Sequence, residues 1–140
     1  MASINTFVDT SGFFALLAKP DPAHLLAANW LQKARSANHI SITTDYVLSE
    51  TATLLKARRR ADLVIPFFQL ITSSSALRIE WMSQNRFEKT REYFLRHNDH
   101  GYSFADCTSF VVMNEFKLTE ALTTDKHFQE AGFLPVLPLK

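Results

Sequence analysis

The chain has 140 residues, 46% of them hydrophobic and 21% charged, with a net charge of +1. This is enough apolar chain for one self-supporting core, and the composition excludes a disordered segment or a chain-wide polyanion-binding surface. One cysteine, Cys107, excludes an intrachain disulfide, and no apolar run approaches the roughly 20 residues of a membrane helix.

The three glycines, Gly12, Gly101 and Gly132, form no glycine-rich phosphate loop, which argues against the nucleotide folds that depend on one. The N-terminal residues carry no basic flank and no long apolar run. The expected location is therefore the cytoplasm, and residues 1–140 read as a single domain. The 12 phenylalanines are expected to fill the core, having no polar atom that needs a partner there.

In chain order, Ile4 to Val8 reads as a strand ending at Asp9-Thr10-Ser11. Asp21-Pro22 reads as a helix start, followed by Leu26, Ala27, Trp30, Leu31 and Ala34 at helical spacing. His39 to Thr43 is a second strand. Thr44 or Asp45 caps a helix with Val47, Leu48, Thr51, Leu54 and Leu55 on one face. Ala61 to Ile71 is helical despite Pro66. Leu77 to Met82 is a third strand, Asn85 to His97 an amphipathic helix, and Ser103 opens a helix running to about Phe116. Ala121 to Thr124 is a strand ending at Asp125, and Pro135 to Leu139 is a last extended segment. Alternation of strand and helix predicts an α/β fold with a mostly parallel sheet and helices on both faces.

The acids fall where such a fold gathers ligands. Asp9 and Asp125 end strands, Asp106 lies in the first turn of a helix, and Glu50 lies about six residues into the helix after the second strand. In a parallel sheet all strand carboxyl ends lie along one edge, so four acids distant in sequence can meet in one crevice. Each acid also has a structural reading. Asp9 and Asp125 suit helix N-caps, and Ser103 to Asp106 matches a capping box. Glu50 shares a helix line with Val47 and Leu54, so its alternative is a buried ion pair with an arginine or a place at the stripe's edge. Taken together, clustered carboxylates repel one another and a divalent cation relieves that repulsion. Hard oxygen donors without a His or Cys cluster suit Mg²⁺ or Mn²⁺, ions that serve phosphoryl chemistry. The residues alone thus point to a metal-dependent phosphoryl-transfer or phosphodiester enzyme.

Four stretches in this order resemble the PIN-domain family: Phe7 to Gly12, Thr44 to Glu50, Ser103 to Phe110 and Leu122 to Phe128, with Ala131-Gly132-Phe133 as a matching tail. The resemblance implies a three-layer α/β/α sandwich and a Mg²⁺- or Mn²⁺-dependent endoribonuclease. Many small single-domain members, of the VapC-like kind, are toxins of toxin–antitoxin pairs. By resemblance, the chain is then a homodimer that acts on RNA and is blocked by a small antitoxin protein. Carried over by position, Asp9 and Asp106 look like the main metal ligands and Glu50 and Asp125 like the remaining acids. Thr10, Ser11 and Thr123 look like the hydroxyl residues that hold acids or water in place. The implied reaction is in-line attack of water on a phosphodiester, leaving a 5′-phosphate and a 3′-hydroxyl.

Other residues carry two readings. Lys56 to Arg60 reads as a solvated helix end or as an RNA-backbone contact, and so do Arg86, Lys89, Arg91 and Arg96. His97 to His100 reads as a surface loop and not a metal site, with Asp99 near the acidic crevice as a further possibility. Cys107 reads as a small buried residue. Phe13-Phe14 and Phe67-Phe68 read as core or dimer contacts. A phosphatase of the haloacid-dehalogenase kind needs an Asp where Ser11 stands. The remaining competitor is a non-catalytic RNA- or partner-binding module on a PIN-like scaffold.

Overall fold

The structure is a computed structural model and describes residues 2–140. The elements run β1 (Ser3–Val8), α1 (Thr10–Leu17), α2 (His24–Ser36), β2 (His39–Thr44), α3 (Asp45–Ala57), a 3₁₀ turn at Ala61–Leu63, α4 (Val64–Ser73) and β3 (Leu77–Glu80). They continue with α5 (Gln84–Arg96), α6 (Phe104–Glu115), β4 (Glu120–Leu122), α7 (Lys126–Glu130) and β5 (Leu134–Pro135). The five strands form one sheet in the order β3-β2-β1-β4-β5, every neighbouring pair parallel. The mostly parallel sheet read from the sequence is thus parallel throughout.

Right-handed crossovers put α1 to α4 on one face, because β1, β2 and β3 step in one direction. The step back to β4 and on to β5 puts α5 to α7 on the other face. The packing agrees. Phe13 of α1 meets Phe67 of α4 edge-on at 5.2 Å, while Phe7 of β1 lies 6.3 Å from Phe128 of α7. Phe7, Phe13, Phe67, Phe110 and Phe128 are all fully buried, each contributing about 1.5–3 kcal/mol by leaving water. Phe14 is buried beside them, whereas Phe68 and Phe87 are exposed, so phenylalanine fills the core with exceptions.

Some boundaries differ from the sequence reading. Helix α2 starts at His24, not at Asp21; Asp21 instead accepts a hydrogen bond from the Ala23 N–H in the preceding turn. Its buried face is made by the small Ala27 and Ala34, and Leu26 is exposed. Pro66 is tolerated because α4 starts at Val64, so the missing N–H falls in the first turn, where it has no helical partner anyway. Thr44, not Asp45, caps α3 by accepting from the Val47 N–H; Asp45 accepts from the Met82 N–H and ties α3 to the end of β3. Strand β4 stops at Leu122, leaving Thr123 and Thr124 free of the ladder, and β5 is only Leu134–Pro135. No helix among the described residues is long and apolar enough to cross a membrane.

Two features set the crevice. The strand order reverses direction between β1 and β4, which opens the sheet's carboxyl edge at that point. Helix α1 also sits very close to β4. A Cβ on Gly12 would come 2.2 Å from the Leu122 carbonyl oxygen, so only glycine fits there. This approach brings the first turn of α1 beside Thr123 and Thr124.

Candidate active site

The reversal point gathers the residues that the sequence singled out. Asp9 follows β1 and is 7% exposed. It holds the N-cap position of α1, yet its side chain makes no capping hydrogen bond. The carboxylate instead accepts from the Thr123 hydroxyl at 3.0 Å and from Ser11 Oγ at 3.4 Å. The cap reading of Asp9 therefore fails, and its charge faces the crevice.

The hydroxyl residues form two hydrogen-bonded groups around the acids. Ser11 Oγ lies 3.1 Å from Thr123 Oγ1 and accepts from the Thr124 N–H. Thr123 Oγ1 accepts from the Asp125 N–H at 3.0 Å. On the other side, Thr10 donates to Glu50 Oε1 at 2.8 Å and accepts from Thr51 at 3.1 Å. Ser11 and Thr123 thus hold the Asp9 carboxylate and reach the Asp125 backbone, while Thr10 holds the Glu50 carboxylate.

Glu50 is half-buried beside the stripe formed by Val47, Thr51 and Leu55. It lies at the stripe's edge, and no arginine pairs with it among the described residues. Asp106 belongs to the capping box with Ser103, and Asp125 caps α7 by accepting from the His127 N–H at 2.9 Å. The capping oxygens, Asp106 Oδ2 and Asp125 Oδ1, also face the crevice beside His127, and the capping role and a place in the crevice coexist because a carboxylate oxygen has two lone pairs.

The acids feel one another. Burial pushes Asp9 up to about 7, and the charges of Asp106 and Glu50 push the same way; hydrogen bonds to its carboxylate only partly offset this. Asp106 is also held above the usual carboxylate range, by burial first and then by Asp125 and Glu50. No Lys or Arg lies within ion-pair distance of any of the four acids among the described residues. A concentration of carboxylate oxygens with no Lys or Arg paired to it fits a divalent metal ion.

One neighbour was not singled out from the sequence. His127 Nδ1 lies 3.3 Å from Asp106 Oδ2 and 3.5 Å from Asp125 Oδ1. Its spacing of two from Asp125 was the available signal, but a single histidine beside an acid forms no recognised motif.

The other candidates lie outside this cluster. Arg86 is bound to both Glu115 oxygens, to Glu80 Oε1 and to the Trp81 carbonyl, so it is not free to meet a phosphate. In the basic run, Arg60 pairs with Asp62 and Arg58 lies over the Phe14 ring. His97 stacks on Tyr93 and His100 on Tyr102, and Asp99 is exposed and outside the group of possible metal donors. Cys107 is fully buried, and burial pushes its thiol up to about 11.

Comparison with known proteins agrees with this fold. The PIN domain family model matches residues 6–134. The chain is 36% identical over 135 residues to the 23S rRNA-specific endonuclease VapC20 of Mycobacterium tuberculosis, covering 94% of this chain and 98% of that protein. The crystal structure of M. tuberculosis VapC20, a Sarcin-Ricin loop cleaving toxin, superposes with a TM-score of 0.83 at 33% identity, over 96% of this chain and all of that one. VapBC2 from Rickettsia felis, crystallised with a DNA fragment from its promoter, shares the fold at a TM-score of 0.64 and 14% identity, over 100% and 98% of the two chains.

Proposed function

The chain belongs to the PIN-domain family, and from that premise we propose that it is a metal-dependent endoribonuclease and the toxin of a toxin–antitoxin pair. The observation that carries this reading is the crevice itself: Asp9, Glu50, Asp106 and Asp125 converge at the strand reversal, and among the described residues no Lys or Arg pairs with them.

In this reading the four acids hold one or two Mg²⁺ or Mn²⁺ ions; Ser11 and Thr123 orient the Asp9 carboxylate and Thr10 orients that of Glu50. Bound metal supplies Lewis-acid polarisation of the phosphate and a more acidic water. The protein's own contribution is positional. Asp9 is buried and held by two hydroxyls, so its oxygens have little freedom. Glu50 is fixed by Thr10, which Thr51 fixes in turn. Such an array aligns a scissile phosphodiester and its attacking water without reorganisation during the reaction.

Ribosomal RNA is the proposed substrate class, supported by likeness to a 23S rRNA-specific relative along nearly the whole chain. The toxin reading likewise leans on that relative, and with it come a small antitoxin partner, a homodimer and a cytoplasmic location. Residues 1–140 act as one domain. The test is to treat purified ribosomal RNA with the protein and determine the product ends. A discrete cut leaving a 5′-phosphate and a 3′-hydroxyl is expected. A 2′,3′-cyclic phosphate would mean that the 2′-hydroxyl attacks and would overturn the hydrolytic scheme.

A further inference from the structure

We propose that His127 completes, with Asp106 and Asp125, a mixed nitrogen–oxygen cation position that favours Mn²⁺ over Mg²⁺. This rests on the metal-dependent reading above and adds a ligand and a selectivity to it.

One Asp106 oxygen, one Asp125 oxygen and one imidazole nitrogen all lie within 4.8 Å of one another. The two distances from Nδ1 are 3.3 Å and 3.5 Å. Neighbouring donors on an octahedral ion about 2.1 Å away are about 3 Å apart. The two distances from Nδ1 are close to that spacing, and the two carboxylate oxygens lie within 4.8 Å of each other, near enough to share one ion.

The ring is held in that pose from several sides. The His127 N–H is bound by Asp125 Oδ1 at 2.9 Å, which fixes the backbone beneath the ring. Tyr102 packs edge-on at 5.6 Å. Gly101 lies beside Nε2, where a Cβ would sit at 3.4 Å. Nδ1 has only the two carboxylates as polar neighbours among the described residues.

The donor type decides the selectivity. Carboxylate oxygens serve Mg²⁺ and Mn²⁺ alike, but Mg²⁺ keeps oxygen donors and water, whereas an imidazole nitrogen suits transition ions. A carboxylate-only crevice would discriminate weakly between the two. One nitrogen in the shell tilts the site toward Mn²⁺.

The test is pulsed electron paramagnetic resonance of Mn²⁺ added to the whole purified protein at neutral pH, with Mn²⁺ affinity measured in parallel. ¹⁴N modulation from a directly bound nitrogen is expected in the wild type, changing to the ¹⁵N pattern after [¹⁵N]histidine labelling. It should vanish in His127→Ala and His127→Gln, with Mn²⁺ affinity falling at least tenfold and Mg²⁺ affinity changing less. Circular dichroism confirms that both variants are folded, and the labelled wild type gives its answer without any substitution. Bound Mn²⁺ with no nitrogen coupling, or coupling that survives in both variants, overturns this inference alone. If no Mn²⁺ binds at all, the metal-dependent reading falls with it.

Discussion

Thr123 and Asp9 stand 114 positions apart, yet the threonine hydroxyl donates to the aspartate carboxylate at 3.0 Å while accepting from the Asp125 N–H. One hydroxyl thus ties the end of β1 to the end of β4 and touches two of the four acids. Thr123→Val keeps the shape and removes both bonds together with the contact to Ser11 Oγ. It should lower metal affinity or nuclease rate about 10- to 100-fold and cost about 1–3 kcal/mol in urea unfolding. Thr123→Ser should recover most of both. A valine variant with unchanged kinetics would show that the hydroxyl has no part in holding the acids.

Asp9 makes stability depend on pH in a definite direction. Its carboxyl is raised from 3.8 to about 7 in the folded protein. Below pH 4 both folded and unfolded chains hold the proton. Between about pH 4 and pH 7 the unfolded chain ionises while the folded one does not, so the metal-free protein loses stability as pH rises. The loss is on the order of a few kcal/mol. In EDTA, Asp9→Asn should therefore gain on the wild type steadily across this window and stay ahead at pH 8. Unfolding curves at pH 4, 6 and 8 check this. Parallel pH profiles for the two proteins would mean that Asp9 is not desolvated as described.

Gly12→Ala tests the close approach that builds the crevice. The new methyl would meet the Leu122 carbonyl at 2.2 Å, backbone against helix, with no flexible side chain to yield. The expected cost is about 1–3 kcal/mol. Because α1 carries Thr10 and Ser11, activity should fall further than stability predicts. An alanine variant as stable and active as the wild type would rule out the tight α1–β4 contact.

Arg86 is expected to act on stability and not on RNA binding. Glu80 is buried and depends on Arg86 and on Arg78. Arg86→Leu should cost about 2 kcal/mol, less than a fully buried pair because Arg78 remains and Glu115 is partly exposed. The salt dependence of RNA affinity should not change. A flatter salt dependence would return Arg86 to the RNA-contact role read from the sequence.

Much of this arrangement was legible before the structure. Strand–helix alternation fixed the fold class and so put the ends of β1 and β4 on one edge, which is why Asp9 and Asp125 could be paired from opposite ends of the chain. Glu50 drew notice because it shares a helix line with Val47 and Leu54, though the structure sets it at the stripe's edge, held by Thr10. What local pattern could not reach were relations made only by tertiary contact. Gly12 looks like an ordinary helical glycine until β4 is laid beside it. Arg86 looks free until Glu80 and Glu115 arrive from β3 and α6. His127 gains meaning only when α6 brings Asp106 to its ring. The Asp21-Pro22 signal marked a turn that precedes the helix, since a cap preference also suits a hydrogen-bonded turn.

The central claim is that these carboxylates form a metal-dependent nuclease centre. The most direct measurement is cleavage of RNA by the wild type, Asp9→Asn and Asp106→Asn, each in Mn²⁺, in Mg²⁺ and in EDTA. Cleavage is expected from the wild type only with a divalent ion, and it should fall by about two orders of magnitude or more in either variant. Cleavage that persists in EDTA, or that is equal in the variants, would contradict it.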